Sequence, residues 1–113
     1  SLGHATKFEL QNKTWATPGV LSAAGCQVSI ITDAPVIPQQ YLTLCAAMAV
    51  KAGMDSYEAL KAITINPAKH LGIDSQVGSL ETGKDADIVV YDGNPMEVAS
   101  VLELVLIDGN KVN

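Results

Sequence analysis

The chain has 113 residues, 48% of them hydrophobic, which is enough for one small domain with a buried core. Its formal net charge of -5, with no basic stripe, argues against nucleic acid or an anionic membrane surface as a partner. No apolar run reaches the roughly 20 residues of a membrane span, and no signal peptide opens the chain, so a cytoplasmic location is the expectation.

Aromatic residues are limited to Trp15, Phe8 and three tyrosines, so the interior must be built mainly from Ala, Val, Ile and Leu. Cys26 and Cys45 stand in apolar surroundings without a Cys-x-x-Cys pair or a histidine at ligand spacing; both read as reduced core residues. Asn12-Lys13-Thr14 matches a glycosylation sequon, a tripeptide common by chance.

Residues 1–14 show no sustained period and read as a loop-like lead-in. Thr17-Pro18 predicts a helix start, with Thr17 as N-cap and Gly25 as the stop. Residues 27–32 follow as a short β-branched run, the pattern of a strand buried on both faces. This run ends at Asp33, and Pro35 and Pro38 take the chain out of any ladder because they lack the backbone donor. Gln39 to Ala52 is almost wholly apolar and reads as a helix covered on all sides, closed by Gly53. Asp55-Ser56-Tyr57-Glu58 is a capping-box pattern opening a third helix to about Thr64, and Asn66-Pro67 opens a short fourth that Gly72 closes. Beyond Val77 the character changes. Glycines punctuate short β-rich runs at 88–91 and 101–107, and Asp108-Gly109 is a hairpin turn signal, so the tail is expected to be a small antiparallel piece. A boundary near residue 75 divides the chain into 1–75 and 76–113.

Asp33 is the first candidate for chemistry, because loops after the carboxyl ends of strands line the open face of α/β folds. As metal ligand or general base it would bind a divalent ion and take a proton from water; as an ordinary turn residue it would cap the following loop through backbone amides. The residues alone leave these even. His4 reads as an exposed loop histidine, and His70 as a helix-end residue favouring the dipole. The segment Gly78 to Lys84 is not a phosphate loop: Asp85 stands where Ser or Thr is required, and a strand follows it instead of a helix. One difficulty outweighs these motifs. A strand buried on both faces needs parallel neighbours, and the chain offers none, so these residues are expected to close a sheet whose earlier strands lie in a longer polypeptide.

Several stretches taken jointly resemble the carboxyl-terminal portion of the metal-dependent amidohydrolases, in the imidazolonepropionase-like and prolidase-like branch. They are Thr32-Asp33 with Pro35-Val36-Ile37-Pro38, Glu58-Ala59-Leu60 with Ala62 to Ala68, Leu71-Gly72, Gly78-Ser79-Leu80-Glu81, Gly83 to Val90, and Ile107-Asp108-Gly109. The likeness covers most of residues 14–113. It implies an α/β fold: the last strand (27–32) of a (β/α)8 barrel with its helices in 1–75, and part of a small β-sandwich composite domain in 76–113. It also implies hydrolysis of a C–N bond in a small-molecule amide, cyclic amide or dipeptide, with one or two divalent ions, zinc foremost, and Asp33 as metal ligand and proton shuttle. The family's histidine ligands have no counterparts here, so the segment alone is expected to be inactive and to self-associate through unsatisfied edges. The competing expectation is a barrel-derived module with a structural or interaction role and no catalysis.

Overall fold

In the computed structural model, residues 15–113 are described. His4, the sequon and the rest of the lead-in lie outside them. The element order is helix α1 (Thr17–Ala23), a 3-10 turn (Gln39–Tyr41), helices α2 (Leu42–Lys51), α3 (Ser56–Ala62) and α4 (Ile65–His70), then strands β1 (Ile88–Tyr91), β2 (Leu102–Ile107) and β3 (Asn110–Lys111).

The helices pack through small side chains. Ala46 and Ala49 of α2, Ala59 and Ala62 of α3, and Met54 between them form the buried cluster, against which Val28, Ile30, Val50, Ile63 and Met96 are laid. Alanine on both faces lets the two helices approach closely, and a larger side chain at any of these positions would force them apart. α1 closes over the same corner: a Cβ added at Gly19 would lie 3.1 Å from the Met54 Cα. α3 starts where its sequence predicts, with Asp55 as N-cap accepting from the amides of Tyr57 and Glu58 at 3.1 and 3.0 Å. Glu58 turns to Lys61 instead, 2.7 Å away.

Four expectations about the helices are corrected. Ala16, not Thr17, occupies the N-cap of α1, Thr17 is the first helical residue, and no side chain caps that end. The apolar stretch 39–52 is a 3-10 turn followed by a ten-residue helix, in which only Cys45, Ala46 and Ala49 are buried. Covering on all sides would need further chain against it. α4 begins at Ile65, one residue ahead of Asn66, and α3 ends at Ala62, two before Thr64.

The tail is the expected antiparallel sheet in the order β1-β2-β3, with Ile88 opposite Leu106 and Leu106 opposite Lys111. The turn between β2 and β3 takes Asp108 and Gly109 through φ values of 52° and 78°, the double left-handed geometry that a two-residue hairpin requires and that Asp-Gly tolerates. The loop before β1 is held by Lys84, whose ammonium meets Ser79 at 2.7 Å and Glu81 at 2.8 Å. At Gly78 the chain crosses α4 so closely that a Cβ would come within 2.8 Å of the Ala68 Cβ, at a φ of 99°.

Candidate functional site

Residues 27–32 cross the helical layer without helix, turn or bend, and among the described residues they join no ladder. The predicted strand is therefore corrected to a segment outside the one sheet that the described residues form. Val28, Ser29 and Ile30 are all half-buried, and burial alternates from Ile30 onward: Ile31 is 62% exposed, Thr32 is 6% exposed, and Asp33 is exposed. Val28 and Ile30 face the alanine cluster, which leaves Ile31 and Asp33 on the face away from it.

The helices hold this segment through backbone and side-chain bonds. The Ile30 amide donates to the Ala62 carbonyl at 2.9 Å, using an acceptor that the end of α3 leaves without an intrahelical partner. Asn66, itself only 6% exposed, donates its side-chain amide to the Val28 carbonyl at 2.8 Å. Ser29 Oγ and His70 Nδ1 share a hydrogen bond of 2.6 Å. His70 is thus the last residue of α4, as expected, and also a contact to the segment. Asn66 carried a signal that the sequence reading passed over. It stands at the start of a short helix between Ile65 and Ala68, and an Asn buried there must find a partner.

Asp33 ends the segment with a φ of 55°, a left-handed backbone that costs roughly 1–2 kcal/mol for a residue with a Cβ and that Asp tolerates better than most. The turn after it is closed by the backbone, with the Val36 amide donating to the Asp33 carbonyl at 2.9 Å. Among the described residues the carboxylate accepts none of the loop amides, so the capping role weighed for it is not what holds this loop. An exposed carboxylate without such bonds is free to serve as an oxygen ligand or to take a proton. It is a single donor. Among the described residues no three His, Cys, Asp or Glu side chains gather to hold a metal ion.

The other sulfur and cationic groups lie elsewhere. Cys45 is buried as expected, whereas Cys26 is corrected to an exposed residue, three positions past the end of α1. Cys26 lines an open, polar concavity of about 340 Å³ with Gln27, Lys61, Asn66 and Lys69, at the opposite end of the segment from Asp33. Lys84 is engaged within its loop by Glu81. No helix among the described residues is long and apolar enough to cross a membrane.

A segment braced by helices on one side, ending in an exposed acid and followed by a small antiparallel sheet, is the arrangement expected of an amidohydrolase carboxyl-terminal region. Residues 8–112 match the amidohydrolase family, and the chain belongs to that family. An amidohydrolase structure from Thermotoga maritima MSB8 superposes with a TM-score of 0.93 at 43% identity, covering 99% of this chain and 29% of that one. A Xaa-Pro dipeptidase structure superposes at 0.74 with 30% identity, covering 87% of this chain and 25% of that one. The imidazolonepropionase of Symbiobacterium thermophilum is 36% identical over 90 residues, 75% of this chain and 21% of that protein. The likeness is thus to the imidazolonepropionase and prolidase-like branch. The chain spans between 8% and 22% of the length of the curated relatives it matches.

Proposed function

We propose that these residues furnish the closing strand and one acidic ligand of a metal-dependent hydrolase that cleaves C–N bonds in small molecules. In this reading residues 27–32 are the last strand of a (β/α)8 barrel whose other strands pair with it. The barrel part extends to about residue 75, and residues 76–113 belong to a small β-sandwich domain. The observation that carries the reading is Asp33: a carboxylate in a strained left-handed conformation, exposed at the end of a braced segment, with no loop amide engaging it.

A divalent ion, with zinc first on the family likeness, supplies a Lewis acid for the scissile carbonyl and acidity for the attacking water. Asp33 fits as one hard oxygen ligand, and the remaining ligands come from outside the described residues. The chain's own step is a proton relay. One Asp33 oxygen takes a proton from the water as the water oxygen bonds to the carbonyl carbon. The same oxygen then delivers that proton to the leaving nitrogen as the C–N bond breaks, yielding a carboxylic acid and an amine or, from a cyclic amide, one opened product. Val36 and Ile37 follow in the loop, where Val36 is 72% exposed and can form an apolar wall beside the substrate. A cyclic amide or a dipeptide is the substrate class in keeping with the relatives.

The test is metal analysis with an amidase and dipeptidase screen on the full-length protein, with Asp33→Asn as the comparison. The substitution keeps shape and removes the base, so kcat should fall by about 10²–10⁴. Full activity in that variant sinks the assignment. The 113-residue segment alone should show no turnover, since one carboxylate does not hold zinc against water.

A further inference from the structure

Asp33 can serve only if the segment that carries it is fixed in register. A strand inside a sheet is fixed by its ladder, and here part of that work falls to the helices. Val28 and Ile30 are two residues apart, so in an extended backbone their polar groups point to the same side. Both are engaged there, Val28 by the Asn66 amide at 2.8 Å and Ile30 by the Ala62 carbonyl at 2.9 Å. On that edge the corner between α3 and α4 stands where a neighbouring strand would otherwise bond. The Ala62 carbonyl would meet any amide brought to it. Asn66 differs, because it is buried, reaches across 38 positions of sequence, and donates to one particular carbonyl.

We propose that Asn66 is a positioning residue for Asp33, setting the register of residues 28–33 so that this acid, and not Thr32 or Ala34, arrives at the segment's exposed end. The Ser29 to His70 hydrogen bond is a second clasp from the same short helix. A slip by one residue would turn Asp33 toward the alanine cluster and bring Thr32 outward, since side chains alternate in direction. α4 in turn is pressed in place by Gly78, which has no room for a side chain against Ala68. The 78–87 loop, α4 and the segment thus form one continuous stack ending at the acid.

The proposal rests on the role given to Asp33 above, and the experiment separates the two. In the full-length holoenzyme, Asn66→Ala removes the amide, and Asn66→Asp keeps the shape but cannot donate to the Val28 carbonyl. Both should lower kcat and weaken metal affinity, measured by competition with a chelator, by about 10- to 100-fold with little change in KM, the range found when partners that orient a metal ligand are removed. Ser29→Ala, which leaves Asn66 in place, serves where the Asn66 variants do not fold, and should show a smaller loss of the same kind. Leu106→Ala in β2 reports a purely structural loss, and should lower the melting temperature without moving metal affinity. Metal affinity and kcat within twofold of wild type in the Asn66 variants, or in Ser29→Ala where those do not fold, would overturn the positioning role. So would an equal loss in Leu106→Ala. If Asp33→Asn also leaves metal affinity unchanged, the reading of Asp33 has failed; if it abolishes binding while the Asn66 variants do not, only the positioning role has.

Discussion

At the scale of single residues, the chain assigns its charges mostly to local structure. Glu81 lies in the loop before β1, and its carboxyl is held below its ordinary value of 4.5 by the hydrogen bond from Lys84, then by that from Ser79. The folded chain therefore binds this proton less readily than the unfolded chain. The contribution of the pair is complete above the unfolded value and is lost as pH falls through the lower folded one. Local opening of the 78–87 loop, followed by amide exchange at Asp85, should increase below pH 4.5 in wild type. In Glu81→Gln that increase should be absent. Because Glu81 is exposed, added salt should shrink the difference between the two proteins, and a salt-independent difference would assign the effect to another group. Asp33 contrasts with Glu81: it has no cation partner among the described residues, and its left-handed backbone makes its placement costly.

At the scale of elements, what the sequence announced depended on whether the signal was local. β1 falls on the predicted residues, the Asp108-Gly109 turn has its predicted geometry, and α3 begins at its predicted cap, because turn chemistry and capping are decided within three or four residues. The cap at Asp55 has a measurable consequence: Asp55→Ala strands the amides of Tyr57 and Glu58 and should destabilise the fold by about 1 kcal/mol in urea titration. A change below a few tenths would mean that water replaces the cap without cost. What sequence could not supply was tertiary. The bond from Asn66 to Val28 joins residues 38 apart, and the pairing of Ser29 with His70 joins residues 41 apart. No periodicity encodes such contacts. The candidate acid was legible because a β-branched run stops at it, whereas the residues that brace it became visible only when α3 and α4 were laid against the segment. Thr17 failed as a cap for a related reason, since Pro18 also fits the second helical position and let the helix begin one residue earlier.

At the scale of the molecule, burial is uneven, and that unevenness predicts behaviour. The helical half has a closed cluster of alanines, while the sheet leaves Val89, Ile107 and Val112 each more than half exposed, at 57%, 55% and 54%. Leu102 at 43% and Val90 at 38%, the latter on the opposite face from Val89, add apolar surface to a sheet that among the described residues has three strands, one of them two residues long. Such a sheet needs packing against another layer to be stable in water, and its outer strands carry backbone groups that can pair with another chain. The segment 27–32 adds Ile31, exposed at 62%, on the face away from the helices. In the longer polypeptide proposed above, further chain would cover these surfaces; in the 113-residue chain taken alone, a second copy is the nearest substitute. Light scattering coupled to size exclusion should therefore give a dimer or larger species for that chain, with the apparent mass rising with concentration. Lysine at Val89 and at Ile107 together should shift the distribution toward monomer, because charge on an exposed strand blocks edge and face association. A monomer at all concentrations in the unsubstituted chain would mean that the exposed apolar surface is tolerated, and that the requirement for neighbouring strands inferred from it is wrong.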